Sequence, residues 1–541
     1  MTTHRQATST AVLMGALATT HCAGGPDGAP TTVESPPELV RIDAGPVRGA
    51  LRDDHRLFQG IPYAAPPLGA LRWRAPQPVS PWTEPRGATR PGSPCPQTPT
   101  AYSPLGSDDE DCLFLDVVTP RSVAPGRLLP VMVWLHGGGE ATGAGSVFDA
   151  RRLAVGGDVV VVTIHFRLGI FGFLGYPGLD GSGTFGLQDQ QAALRWVQRN
   201  IAAFGGDPGN VTLFGESWGA FAASAQLTSP AAAGLFHRVA LQSGFALADY
   251  PAGTFYPELP ALPPFWSPLA ELQATGEALA AEQGWVEPAS EAAVAIERLR
   301  ALPVADLLPH TARFVAPAFG GDVLPESPAE ALRAGRFHRV PVLSGATQDE
   351  GRLFVALFYE LAGAPVTAER YRELLVEAFG EAAGQVEARY PIEAYESPAL
   401  AWAAVITDRV WWRATQEQNR ALAAHAPVFA FEFADRGAPA AVPAPPGFPL
   451  GAHHASDVVY LLDFVGEEPG LAPEQQRLSQ QMIAYWSQFA RGGDPNRPDL
   501  PPWPGFRAGD APHVQSLAPG DGGIRGVDVE AAHQLDFWSQ L

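Results

Sequence analysis

Val211-Thr-Leu-Phe-Gly215-Glu216-Ser217-Trp218-Gly219 carries an apolar, β-branched run straight into Gly-x-Ser-x-Gly, and Ala220 to Leu227 continues as a helical pattern. No other feature restricts the fold so strongly. A buried strand that turns into a helix within one residue forces that residue into a strained conformation, and glycines must flank it because side chains there would strike the strand or the helix. The strained residue is Ser217, whose hydroxyl such a turn holds up and exposed, as a nucleophile requires. The rival reading, a structural serine in a Gly-rich turn, does not explain the strand before it and the helix after it.

The rest of the chain is organised around similar strands. Leu129 to Leu135, Val159 to Phe166, Val211 to Phe214 and Val239 to Leu241 are nearly continuous in hydrophobicity and read as central strands buried on both faces. Between the second and third, Gln188 to Phe204 places Ala193, Trp196, Val197 and Ile201 on one helical face. Strand alternating with helix implies an α/β fold on a mainly parallel sheet. Val340 to Ser344 and Val428 to Phe433 read as later strands, and Glu474 to Arg491 as a late helix. Ahead of them, Val40 to Ala44, Val47 to Leu51 and Arg56 to Phe58 read as small antiparallel edge strands. Leu269 to Leu302, Thr367 to Tyr390 and Trp402 to Ala424 are helix-rich insertions, and Pro260 to Pro268 and Ala438 to Pro449 are Pro-rich loops. No internal repeat appears, and no linker follows residue 39, so residues 39–541 are expected to form a single domain behind a leader at 1–38.

Charge and cysteine content narrow the surroundings. Lys plus Arg number 36 against 57 Asp plus Glu, a net charge of -21 with no basic run, so nucleic acid is not an expected partner. No stretch reaches the ~18 consecutive apolar residues of a spanning helix. The weakly apolar run from Ala11 to Ala18 and the small and polar residues up to Cys22 resemble a short export signal, which would place the chain in the periplasm or outside the cell; the alternative is a merely disordered N-terminus. Lipid attachment at Cys22 is disfavoured by His21, where a small residue is expected. The other two cysteines are Cys95 and Cys112. Their bridging would add roughly 3 kcal/mol and agree with export; cysteine count alone leaves two reduced thiols equally open.

Leu135-His136-Gly137-Gly138-Gly139 ends an earlier central strand, where a loop of backbone donors belongs in this architecture. Donors from Gly138 and Gly139, joined by the N–H of Trp218, would stabilise an oxyanion on the reacting carbonyl, each such donor being worth ~3 kcal/mol of barrier.

With these motifs stand Phe58-Gln-Gly-Ile-Pro-Tyr-Ala-Ala-Pro-Pro67, Glu110-Asp-Cys-Leu-Phe-Leu-Asp-Val117, Phe204-Gly-Gly-Asp-Pro-Gly-Asn210 and Phe489-Ala-Arg-Gly-Gly-Asp-Pro-Asn496. In this order they resemble the type-B carboxylesterases, a family of bacterial esterases, liver carboxylesterases, cholinesterases and the non-catalytic neuroligins. The resemblance implies an α/β-hydrolase fold with helical insertions over the active site, and hydrolysis of a small-molecule ester through an acyl-enzyme, with neither cofactor nor metal. It implies a triad of Ser217, Glu350 in Asp349-Glu350-Gly351, and His454 in Gly451-Ala-His-His-Ala-Ser-Asp457. Asp349 and His453 are the neighbouring alternatives. It also implies that Cys95 and Cys112 are bridged, while a second family disulfide is absent because no cysteine follows Cys112.

Two further departures stand near the chemistry. Trp218 occupies a position usually filled by a small residue, and Glu140 one commonly filled by an aromatic. A carboxylate at residue 140 pointing into the site would oppose developing negative charge, so Glu140 is expected to turn away and bond loop N–H groups or an Arg; the alternative is that it faces substrate and excludes anionic acyl groups. A cholinesterase is disfavoured because Tyr102 is the sole aromatic between Cys95 and Cys112. Two other readings, a non-catalytic binding protein and an amidase or peptidase, share the same fold.

Overall fold

Leu129–Leu135 is a strand in which all seven residues are buried, and its alternating side chains enter two separate cores. Val131, Val133 and Leu135 join the larger cluster, and Met132 and Trp134 the smaller one on the opposite face. A strand covered on both sides has no polar face to display, which is why its sequence reads as an unbroken apolar run. Val160–Ile164 behaves in the same way.

These strands belong to an eleven-stranded sheet in a computed structural model that describes residues 37–541, apart from 101–102, 125, 263–264, 288–289, 441, 467–469, 508 and 510–511. Cys22, most of the expected leader and Tyr102 lie outside the described residues. Numbered in chain order, the strands are β1 (Ala50–Leu51), β2 (His55–Pro62), β3 (Phe114–Pro120), β4 (Leu129–Leu135), β5 (Val160–Ile164), β6 (Gly206–Glu216), β7 (Arg238–Gln242), β8 (Val342–Thr347), β9 (Val428–Phe433), β10 (Val514–Leu517) and β11 (Arg525–Val527). Their order across the sheet is β11-β10-β9-β8-β7-β6-β4-β5-β3-β2-β1. From β5 to β10 every neighbouring pair is parallel. The two margins are antiparallel.

β4, β9 and the helix Pro473–Gly492 follow the expected boundaries to within a residue. The first two edge segments pair as Leu39–Ile42 with Gly45–Arg48, outside the main sheet. Three strands were not read from the sequence. In β3, Asp116 and Thr119 interrupt the apolar run, yet all seven residues are buried; Asp116 accepts from the Gly60 N–H at 2.8 Å, so pairing with β2 satisfies the polar group that obscured the pattern. β10 and β11 are too short to carry a period. Among the described residues no helix is long and apolar enough to cross a membrane.

The parallel register brings the carboxyl ends of β4, β6, β7, β8 and β9 to one edge of the sheet, where open α/β folds form their sites. Every candidate catalytic residue follows one of these ends.

Candidate active site

Ser217 sits between β6 and the helix Trp218–Thr228 with φ 53° and ψ -126°, a strained conformation for a residue with a side chain. The glycines around it are obligatory on steric grounds. A Cβ on Gly219 would lie 2.0 Å from the Leu135 carbonyl oxygen, and one on Gly215 would lie 2.6 Å from the Gly219 backbone. The Ser217 N–H donates to the Gln242 carbonyl at 2.9 Å, tying the turn to the end of β7.

Glu350 follows β8 and opens the short helix Gly351–Val355. Its side chain is fully buried; Oε1 accepts from the Thr347 N–H at 2.8 Å and Oε2 lies 2.5 Å from His454 Nδ1. The neighbouring candidates point elsewhere. Asp349 is held by Arg436 at 3.0 and 3.1 Å, by Arg352 at 3.0 Å and by the Ala452 N–H at 3.0 Å. His453 Nδ1 lies 3.1 Å from the Gly451 carbonyl.

The second nitrogen of His454 faces a residue that sequence reasoning passed over. Glu216, the variable residue of the elbow motif, brings Oε1 to 3.2 Å from His454 Nε2. Its carboxyl is buried, which pushes its pKa up to about 8 despite the pull of the imidazole. For His454 burial acts the other way, but Glu216 and Glu350 outweigh it and hold the imidazole up at about 9. Asp457, also buried, is pushed up to about 6 and receives the Gln242 amide at 2.7 Å. Three carboxyl groups thus surround one imidazole, and the Ser217 hydroxyl is next in the chain to one of them. Trp411 and Phe354 close the remaining sides of the ring, with centroids 4.5 and 5.0 Å from it.

If Glu216 carries charge beside His454, Glu216→Gln removes one of the groups that favour the imidazolium. The acid limb of kcat/KM, which marks formation of neutral imidazole, is then expected to move to lower pH by roughly one unit. A pH–rate profile on active-site-titrated enzyme checks this; an unmoved limb means that Glu216 is already neutral when the enzyme works.

The Gly loop lies directly beside the elbow, since a Cβ on Gly137 would come within 3.1 Å of Ser217 Cβ. Gly138 has φ 116°, and a side chain there would meet the Thr142 carbonyl at 2.1 Å. Among the described residues no acceptor takes the N–H groups of Gly138, Gly139 or Trp218, which leaves all three available. The loop is braced from a second direction: Gln97 Oε1 accepts from the Gly143 N–H at 2.8 Å and from Thr142 Oγ1 at 2.7 Å. Gln97 stands two residues from Cys95, which is disulfide-bonded to Cys112.

Glu140 departs from expectation. It is 3% exposed and has φ 55°, and Oε2 has neither a loop N–H nor an Arg as partner. Burial alone pushes its pKa well above the ordinary carboxyl value, with no charged group acting on it. Burial thus favours the protonated form, and the Arg-paired reading does not hold because Oε2 has no such partner. Because the folded state holds this proton more tightly than the unfolded chain, Glu140 costs stability progressively as pH rises above the unfolded carboxyl range. Glu140→Gln is therefore expected to raise Tm more at pH 8 than at pH 5, as calorimetry at the two pH values would show. The kcat/KM ratio between a neutral and a carboxylate-bearing ester should not change.

Trp218 lies almost wholly inside, edge-on to Phe221 and Phe265 with centroids 4.6 and 4.7 Å away. Phe265 continues to Tyr250, Tyr250 to Phe255, and Phe255 to Phe354 beside His454. An aromatic wall thus runs from Trp218, the neighbour of Ser217, to His454. Among the described residues no group of three or more His, Cys, Asp and Glu side chains is arranged to hold a metal ion.

The carboxylesterase family profile matches residues 36–538, nearly everything described above. The chain belongs to the carboxylesterase family. It is 33% identical over 488 residues to the para-nitrobenzyl esterase of Bacillus subtilis, covering 87% of this chain and 92% of that protein. It is 34% identical over 492 residues to the fumonisin B1 esterase of Sphingopyxis macrogoltabida, covering 87% and 85%. A solved PNB esterase superposes with a TM-score of 0.73 at 30% identity, across 93% of this chain and 100% of the other. The fold is that of the α/β-hydrolases, and the protein is a carboxylesterase acting on small esters.

Proposed function

We propose that this carboxylesterase cleaves neutral, apolar esters through an acyl-enzyme on Ser217, with His454 as general base and Glu350 as the orienting acid. One observation carries the reading: fully buried Glu350 lies 2.5 Å from His454 Nδ1, which leaves Nε2 turned toward Glu216, the residue before Ser217. A carboxylate on Nδ1 fixes the tautomer in which Nε2 accepts a proton and stabilises the imidazolium that results.

His454 Nε2 takes the hydroxyl proton as Ser217 Oγ bonds to the ester carbonyl carbon. The carbonyl oxygen becomes an oxyanion received by the N–H groups of Gly138, Gly139 and Trp218. Collapse breaks the bond to the alcohol oxygen, which leaves with the proton from His454. Water, deprotonated by the same nitrogen, then releases the acid and restores Ser217. The aromatic wall favours uncharged acyl groups. The name of the Bacillus subtilis relative makes a para-nitrobenzyl ester a suitable first substrate. The Cys95–Cys112 bridge supports an oxidising compartment and hence export.

The test is turnover of p-nitrophenyl acetate together with stoichiometric organophosphate labelling, the modified residue being located by mass spectrometry. Labelling at Ser217 in step with lost turnover supports the reading, and full turnover with Ser217 unlabelled overturns it. A matched anilide hydrolysed as fast as the ester would turn the assignment toward an amidase.

A further inference from the structure

Four residues of one short stretch of chain make contacts around the site. Residues Thr407–Trp412 form a π-helical segment between the α-helices Pro398–Ile406 and Arg413–Ala423. Such segments widen a helix locally and recur at functional sites. Thr407 Oγ1 accepts from the N–H of Gly351, the residue after Glu350, at 2.9 Å. Trp411 packs on the His454 ring and stacks on Phe354 at 5.3 Å. Trp412 Nε1 donates to the Thr347 carbonyl at 3.0 Å, and the N–H of the same Thr347 donates to Glu350 Oε1. Asp408 meets His533.

His533 comes from the far end of the chain, beyond the helix Val529–Ala532. Its ring stacks on Trp412 with centroids 4.6 Å apart and an interplanar angle of 11°. Nδ1 lies 2.6 Å from Asp408 Oδ1, and Nε2 lies 2.9 Å from Glu432 Oε1 on β9. Burial opposes a charge here, but the two carboxylates hold the imidazole up at about 9, so it stays protonated at neutral pH with a hydrogen bond on each nitrogen. Tyr390 donates to the other oxygen of Asp408 at 2.8 Å, and Trp538 donates to the Tyr390 hydroxyl. A cavity of about 190 Å³ adjoins the cluster, lined by Asp349, Arg352, Thr407, Asp408, Arg436 and His533. The cluster therefore abuts the back of the acid loop.

We infer that Thr407–Trp412 is the positioning element of the catalytic acid and base, and that His533 clamps it in place from the C-terminal segment. Trp412 and His533 are positioning residues: neither touches the reacting atoms, and they act through Thr347 on Glu350. The inference rests on Glu350 being the acid of the triad.

Trp412→Phe keeps the stack on His533 but removes the donor to Thr347, and His533→Gln removes the doubly paired cation. Turnover of p-nitrophenyl acetate is measured per active site, counted by organophosphate titration, across pH. Both variants are expected to lose kcat by roughly 10- to 100-fold with little change in KM, the order reached when a reacting group is misplaced by about 1 Å. With Glu350 less firmly held, the acid limb of kcat/KM should also move to lower pH. A fall in Tm with kcat per titrated site and the acid limb both unmoved overturns the inference, leaving a structural clamp only. Should His533→Gln not fold, Trp412→Phe decides alone. Glu350→Gln in the same assay separates the two levels: wild-type turnover there removes the triad reading itself, whereas an impaired Glu350→Gln beside a normal Trp412→Phe removes only the positioning role.

Discussion

Ser217→Ala is expected to lose about 10⁶-fold in kcat on p-nitrophenyl acetate, the scale found when a triad serine is removed, while the protein stays folded. The two halves of this expectation have different causes. On the proposed mechanism activity is lost because the hydroxyl is the atom that bonds to the acyl carbon. Folding is retained because Ala keeps the Cβ that already fits at φ 53° and because the backbone contacts of the turn, including the Ser217 N–H to the Gln242 carbonyl, do not involve the hydroxyl. The measurement is turnover by purified variant whose melting profile matches wild type. More than a few per cent of wild-type kcat would remove Ser217 from the nucleophile's role.

Glu350→Gln is expected to cost on the order of 10⁴-fold in kcat, as amide replacement of a triad acid does by favouring the wrong imidazole tautomer. Asp349→Asn should cost far less. Asp349 braces the loop through Arg352, Arg436 and the Ala452 N–H, and an amide retains its acceptor oxygen for part of that network. Glu350 alone of the two reaches the imidazole. Comparing kcat for the two variants in one assay checks the assignment, and the reverse order of losses would move the acid by one residue.

Fold and site were legible to different depths. The strands buried on both faces were readable because full burial selects an unbroken apolar sequence, as in β4 and β9. β3 was not, because its polar Asp116 and Thr119 are satisfied by groups distant in the chain: Gly60, and the Phe204 carbonyl at 3.3 Å from Thr119 Oγ1. The histidine and the acid were nameable through family resemblance, yet nothing in the residues themselves separated Glu350 from Asp349. Glu216 was in view as the variable residue of the elbow, with no local sign that its carboxyl would face Nε2. The expectation for Glu140 erred on its partner: polarity in the sequence suggested a hydrogen bond, whereas the fold buries Oε2 without one.

Sequence by itself determined the strand–serine–helix turn, the Gly loop and the alternation that builds a parallel sheet. These depend on φ/ψ limits, on the absence of Cβ atoms and on periodic burial, all of which act over a few residues. Only the tertiary structure decided which carboxyl meets which imidazole nitrogen, because those contacts join residues 104 positions apart for Glu350 and His454, and 125 apart for Asp408 and His533. Adjacent residues such as Asp349 and Glu350 leave the backbone in different directions, so their fates depend on where β8, β9 and the segment Thr407–Trp412 come to rest against one another. That placement is a property of packing, and no local pattern encodes it.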